Sequence, residues 1–262
     1  MKISTLMSGS SGNAIYIETA HSKVLIDAGQ TGKGLAKALE EGCQTLPSEL
    51  DAIFITHAHR DHIHGAGVLS RKYDLPLYAT EGTWTEMAPL IGVIKPHNIN
   101  YIRETEAIEM GDLVLESFPI SHDALEPIGF RCSNADKTVG IATDSGVFTA
   151  RMAQSLHNVD CLVLESNHDP EMLHKGPYPW SLKKRIASVV GHLSNEGAGK
   201  ALLKTMGERT KEVILAHLSE ENNKPALAIR TVSDILQKNQ VMLKDVNITV
   251  APRYRPGPLY KI

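Results

Sequence analysis

Short apolar, β-branched runs recur along this chain and are separated by stretches with helical spacing, a pattern that predicts interleaved strands and helices. Strands are expected over residues 14–18, 23–26, 52–56, 77–80, 113–118, 129–132, 138–143, 160–165, 212–216 and 247–250. Apolar positions three and four apart predict helices over 32–41, 64–72, 81–90, 148–156, 179–190, 198–206 and 224–239. Interleaving of this kind implies a layered α/β architecture with helices outside sheets, but it does not give the number of sheets. No Pro/Gly/Ser-rich linker, low-complexity tract or internal repeat divides the sequence, so one domain over 1–262 is the simplest organisation.

Composition narrows the function classes. With 262 residues, 42% hydrophobic and 22% charged, the chain is long enough to bury a large core. No apolar run approaches the roughly 20 residues of a membrane span. The N-terminus carries one Lys and then a Ser/Gly-rich stretch where a secretory signal would be apolar, so the expectation is a cytoplasmic protein without a membrane partner. Cys43, Cys132 and Cys161 are odd in number and far apart, which argues against a disulfide framework and for buried small hydrophobes. A net charge of -3 rules out a global basic footprint, so contact with any nucleic acid would have to be local. Twelve histidines are the unusual feature, because histidine is a common metal ligand.

The densest chemistry lies in Ile53-Phe54-Ile55-Thr56-His57-Ala58-His59-Arg60-Asp61-His62, where an apolar strand runs into four ligand-type side chains within six residues. A polar loop with solvated histidines rarely concentrates ligand types in this way. Alternate residues at a strand end point to the same side, so His57 and His59 can close on one ion while Asp61 and His62 aim at a second. Four residues cannot saturate two metals, and further candidates follow other apolar strands: His122, Asp144 and His217. Singly, each has an equal alternative as a loop, turn or strand-end residue. Together they recur at the same kind of position.

The order His-x-His-x-Asp-His, then His, Asp and His resembles the motif pattern of the metallo-β-lactamase superfamily, and Asp27 in Val24-Leu25-Ile26-Asp27-Ala28-Gly29 is similar to its first motif. The resemblance covers about residues 13–220 and implies a four-layer αββα sandwich with a two-metal site at one edge of the paired sheets. It implies that His57, His59 and His122 hold one ion, that Asp61, His62 and His217 hold the other, and that Asp144 bridges them. Asp27 then orients the His-rich loop by hydrogen bonding. These N/O ligands suit zinc, manganese or iron. Two such cations, about 3.5–4 Å apart in two-metal hydrolases, lower the pKa of a shared water until it is a hydroxide nucleophile near neutral pH.

Within the superfamily, His59 stands where flavin-linked di-iron reductases place Glu. Only 73 positions separate Asp144 from His217, too few for a large nuclease cap domain. The segments Ser8-Gly9-Ser10-Ser11-Gly12-Asn13, Leu164-Glu165-Ser166-Asn167-His168-Asp169, Gly191-His192-Leu193-Ser194-Asn195 and Ala216-His217-Leu218-Ser219-Glu220 closely resemble the YycJ (WalJ) family of bacterial metallohydrolases. That resemblance implies a 5′-to-3′ exonuclease acting on double-stranded DNA.

His192 and His168 are candidates for proton transfer, and Ser194 and Asn195 for phosphate contact; the competing reading makes His192 and Ser194 caps of the following helix. Lys183 and Lys184, with Arg185, are candidate DNA-backbone contacts, although a charge run on a helix is more often a solvated face. The tail Arg253-Tyr254-Arg255-Pro256 has no assigned role. Two alternatives to the exonuclease remain: a small-molecule hydrolase of a cyclic phosphodiester, thioester or lactone, and a non-catalytic metal-stabilised binding module, which the intact ligand set disfavours.

Overall fold

The computed structural model describes residues 1–103, 106–242 and 244–262. Its first sheet comprises β1 (Lys2–Met7), β2 (Ala14–Glu18), β3 (Lys23–Ile26), β4 (Ala52–Phe54), β5 (Leu77–Ala79) and β6 (Ile99–Tyr101). The second comprises β7 (Ala107–Met110), β8 (Leu113–Pro119), β9 (Ile128–Ser133), β10 (Thr138–Ala142), β11 (Cys161–Glu165), β12 (Glu212–Ala216) and β13 (Asn247–Val250). The chain then returns to the first sheet as β14 (Tyr260–Lys261), so the strand orders are β14-β1-β2-β3-β4-β5-β6 and β13-β12-β11-β10-β9-β8-β7.

Each sheet is antiparallel at one end and parallel at the other: β3 to β6 run parallel in the first sheet, and β10 to β13 in the second. Parallel strands require crossover connections, which the helices supply. α1 (Gly32–Cys43), α3 (Ala66–Tyr73) and α4 (Glu81–Ile91) cover the first sheet, where Leu35, Leu39, Leu69 and Met87 meet Leu6, Tyr16, Leu25 and Ile53. α5 (Ala150–Ser155), α8 (Asn195–Thr205) and α9 (Pro225–Lys238) cover the second, where Met152, Leu202, Val232 and Leu236 meet Leu162, Leu164, Val213 and Leu215. Alternate residues of the same strands fill the space between the sheets: Ile17, Val24 and Phe54 from one, Phe130, Cys132, Ile141, Cys161 and Val163 from the other. The result is a four-layer αββα sandwich. Burial on both faces explains why the central strands read as continuous apolar runs.

Several boundaries differ from expectation. The helix predicted over 64–72 is α3, and a short helix that was not predicted, α2 (Arg60–Ile63), precedes it, so Asp61 and His62 already stand on helical backbone. The helix predicted over 179–190 is α7 (Trp180–Ile186); past its end the chain folds back so closely that a Cβ at Gly191 would lie 2.2 Å from the carbonyl oxygens of Arg185 and Ile186. α8 begins at Asn195, earlier than predicted, because Ser194 caps it by accepting from Gly197 N–H. α6 (Pro170–Lys175) was not predicted, although Asp169 as cap followed by Pro at the first helical position is its signal. β1, β6, β7 and β14 were also missed. Among the described residues no helix is long and apolar enough to cross a membrane.

Candidate metal centre

The ends of β4, β8, β10, β11 and β12 meet at one edge of the sandwich, and each delivers a ligand-type side chain at its last paired residue or within three residues beyond it. Beyond β4 the chain turns through His57 and His59 into α2, which carries Asp61 and His62. His122 follows β8, Asp144 follows β10 and His217 follows β12. The backbone is left-handed at Asp27 (φ 64°), Asp144 (φ 58°) and His217 (φ 54°). Such conformations are costly for non-glycine residues and concentrate at functional sites.

The donor atoms converge in overlapping groups: His57 with His59 and His122; Asp61 with His62 and His217; and His57 with His62 and Asp144, all within 4.8 Å of one another in each group. His57 Nε2 and His122 Nε2 each lie 3.2 Å from His59 Nδ1. Donors around a tetrahedral zinc ion at about 2.0–2.1 Å stand about 3.3 Å apart, so the imidazole triplet already has the separation of a ligand shell. Burial lowers the pKa of His57 and His122, which keeps their ring nitrogens neutral and available as ligands. Asp144 Oδ2 is buried without a hydrogen-bond donor among the described residues, and His62 Nε2 lies 3.3 Å from it. An unpartnered buried carboxylate oxygen between two donor groups is an expensive arrangement unless a cation completes it. Burial alone would lower the pKa of His62 and His217, but the surrounding carboxylates reverse this, holding His62 well up and His217 at about 10. On these grounds the residues fit a binuclear metal centre.

Outer contacts hold the cluster in place. Asp27 Oδ1 accepts from the Thr56 N–H at 2.8 Å, while Oδ2 accepts from the Thr56 hydroxyl at 2.8 Å and lies 2.7 Å from His62 Nδ1. The Ser8–Asn13 loop braces the other half: the Asn13 amide nitrogen lies 3.2 Å from Asp61 Oδ2, and Ser8 Oγ accepts from His217 N–H at 2.7 Å. Arg253, the residue of the tail left without a role, donates to the Leu218 carbonyl and packs its guanidinium against Gly9.

Two site residues escaped the sequence reading. Glu165, buried at the end of β11, places Oε1 2.7 Å from His192 Nδ1 and 3.2 Å from His217 Nδ1, while Oε2 accepts from Ser145 N–H at 2.9 Å and Leu193 N–H at 3.0 Å. Burial would raise its carboxyl, but His192 and these donors hold it at about 2. Its signal was the one used for Asp144, a carboxylate closing an apolar strand. Asp123 Oδ1 lies 3.7 Å from His59 Nε2 and 3.5 Å from His122 Nε2, and Oδ2 pairs with Arg185 Nε at 2.6 Å.

The remaining candidates are placed differently from one another. Burial lowers the pKa of His192, but Glu165 outweighs it and the net shift is upward. His168 is buried with Nδ1 unpartnered, and burial holds it down at about 4, so it is neutral at pH 7. The Asn195 side chain is fully buried, bonded to Ser166 and Asn223, and Ser194 Oγ is engaged at its helix cap. Lys183 and Lys184 stand on α7, which reaches the cluster through Arg185 and Asp123.

A four-layer αββα sandwich with this His/Asp cluster at its edge defines the metallo-β-lactamase class, and the chain belongs to that superfamily: the model of the beta-lactamase superfamily domain matches residues 22–218. Within it the chain belongs to the WalJ/YycJ family. It is 43% identical over 251 residues to exodeoxyribonuclease WalJ of Streptococcus pneumoniae, covering 95% of this chain and 91% of that one. It is also 43% identical over 239 residues to exodeoxyribonuclease YycJ of Bacillus anthracis, covering 91% and 90%. The crystal structure of the metallo-beta-lactamase fold protein YhfI from Bacillus subtilis superposes with a TM-score of 0.74 over 98% of both chains at 16% identity, a likeness of fold alone.

Proposed function

We propose that this protein is a two-metal phosphodiesterase that removes nucleotides from the 5′ end of double-stranded DNA. The observation that carries the reading is the near full-length identity to two exodeoxyribonucleases in a chain whose seven candidate ligands assemble at one edge. The site reaches the surface at His59 and Asp61, whose side chains are 34% and 22% exposed, while the other five candidate ligands are buried. A cavity of about 500 Å³ lined by Thr80, Tyr101, Arg103, Ile120 and Glu126 contains none of the seven. A polymer can lie across an exposed centre, whereas small-molecule sites are usually enclosed. The reading also places the protein in the cytoplasm, with which three unpaired, buried cysteines accord.

His57, His59 and His122 would hold one divalent ion and Asp61, His62 and His217 the other, with Asp144 within reach of both groups; zinc and manganese suit these donors. When bound, the ions supply Lewis acidity toward water and toward the phosphodiester. Glu165 fixes His192 through Nδ1, which leaves Nε2 to give a proton to the leaving oxygen. His168, neutral at pH 7, supports the α8 start through its carbonyl, which accepts from Asn195 N–H at 2.9 Å. Lys183 and Lys184 attract the DNA backbone as an exposed basic edge.

The test is digestion of end-labelled duplex DNA carrying 5′-phosphate or 5′-hydroxyl ends by wild type and Asp61→Ala, in added manganese or zinc. Mononucleotide release from the 5′ end by wild type alone is expected. Protein shown to contain two metals but unable to cut DNA would refute the reading.

A further inference from the structure

Beside the metal centre, α7 carries an aromatic ring in the open. Trp180, at the start of the helix, is 59% exposed. The Lys184 ammonium lies 5.6 Å from its ring centroid, and the His174 ring stands edge-on at 6.2 Å. Lys183 Nζ donates to the His174 carbonyl at 2.7 Å, so one cation borders the ring and a second is held at the residue that packs against it. At the other end of the helix Arg185 grips Asp123, whose second oxygen faces His59 and His122. The segment just after the helix touches the same ligand: His122 Nδ1 lies 3.1 Å from the Val190 carbonyl oxygen and 3.2 Å from that of Gly191. Trp180 is therefore tied to one half of the centre and stands about 8 Å along the helix axis from Arg185.

An indole left in water forgoes the burial that normally stabilises it. Flanking ammonium groups make the patch a poor match for an apolar protein surface, and in a chain of net charge -3 they are a local feature. A π-face bordered by one ammonium, with a second close by, suits a nucleotide, which offers a base to stack and a phosphate to pair. Bases within a duplex are covered by their neighbours, so a surface ring of this kind takes a base that has left the stack.

We propose that Trp180 is a stacking platform for an unpaired nucleobase of the DNA substrate, with Lys183 and Lys184 against the adjoining phosphates. The proposal rests on the exonuclease reading above. It makes the protein favour frayed or single-stranded ends, since opening a paired end costs base stacking that the platform only partly returns.

The chain has two tryptophans, and the other, Trp84, is 6% exposed with Nε1 bonded to the Asn100 carbonyl at 2.9 Å. Quenching of intrinsic fluorescence by a bound base therefore reports on Trp180, over a constant contribution from Trp84. Metal-loaded protein is titrated with cleavage-resistant phosphorothioate oligonucleotides bearing frayed or blunt GC-rich ends, and KM and kcat are measured on the cleavable versions. Expected results are quenching by the frayed end, its loss in Trp180→Leu, and partial retention of affinity in Trp180→Phe. KM for the frayed substrate should rise about ten- to a hundredfold in Trp180→Leu, more than kcat falls, with metal content and Tm unchanged. Wild type that digests DNA with no quenching, and with the same KM in Trp180→Leu, overturns the platform and leaves the exonuclease standing. Metal-loaded wild type that neither binds nor digests DNA overturns both.

Discussion

Replacing Glu165 by Gln changes no volume but asks an amide to do what a carboxylate does. All four neighbours of this side chain are placed to donate: Ser145 N–H and Leu193 N–H to one oxygen, and Nδ1 of His192 and His217 to the other. Glutamine has one acceptor oxygen, so in either orientation its NH2 group faces two donors. The Glu165 side chain is buried, where removing one partner of an ionic arrangement costs about 3–5 kcal/mol. The second consequence is chemical. His217 loses the contact that orients its ring, and outer-partner substitutions of this kind weaken metal binding about 10- to 100-fold. Urea unfolding of chelated protein measures the first effect, and calorimetric metal titration the second. A Glu165→Gln protein within about 1 kcal/mol of wild type and unchanged in metal affinity would refute the role given to this carboxylate.

Three further substitutions separate the parts of the site from the scaffold. Gly29→Ala should abolish binding of one of two metals, because its Cβ would lie 1.6 Å from the backbone oxygen of Asp61 and displace the turn; metal counting on purified protein checks this. Asp27→Asn keeps the left-handed backbone but presents an amide where His62 Nδ1 now meets an oxygen at 2.7 Å, so metal affinity should fall about 10- to 100-fold in a competition titration. Asp160 lies away from the site. Burial would raise its carboxyl, but Arg209 at 2.7 Å, Thr138 N–H at 2.9 Å and Lys137 at 3.2 Å hold it below the usual range. A carboxyl with a lowered folded-state pKa contributes stability that is present above its unfolded value, about 3.9, and is lost as pH falls through the folded value. Asp160→Asn should therefore cost about 1–2 kcal/mol at pH 7, allowing for two half-exposed cations, and the gap from wild type should close in urea titrations taken down to acid pH.

How far the sequence reveals the site depends on how the residues are spread. His57, His59, Asp61 and His62 are legible because four ligand types crowd into six positions, whereas His122, Asp144 and His217 become legible only as polar ends of apolar strands. Glu165 has that signature too, but a lone carboxylate at a strand end does not stand out from the turn and cap residues found there. The left-handed backbone at Asp144 and His217 leaves no trace in the sequence, since no glycine marks it. Periodicity gave α/β layers but not the pairing of two sheets, because strands buried on both faces lose the alternation that would assign their sides; the resemblance supplied that. β1 was missed because Ser4 and Thr5 interrupt its apolar pattern while being buried themselves, and its outer neighbour β14 lies at the far end of the chain. β6 and β7 are short, with exposed or half-exposed residues along them, and closed no apolar run.

The central proposal is that this edge would hold two divalent ions, with Asp144 needed for both, and that DNA cleavage depends on them. Metal-free protein titrated with manganese, with DNA cleavage followed at each addition, tests it most directly. The account predicts that activity rises until two equivalents per chain are bound and that Asp144→Ala never reaches this plateau; full activity at one equivalent, or in Asp144→Ala, would contradict it.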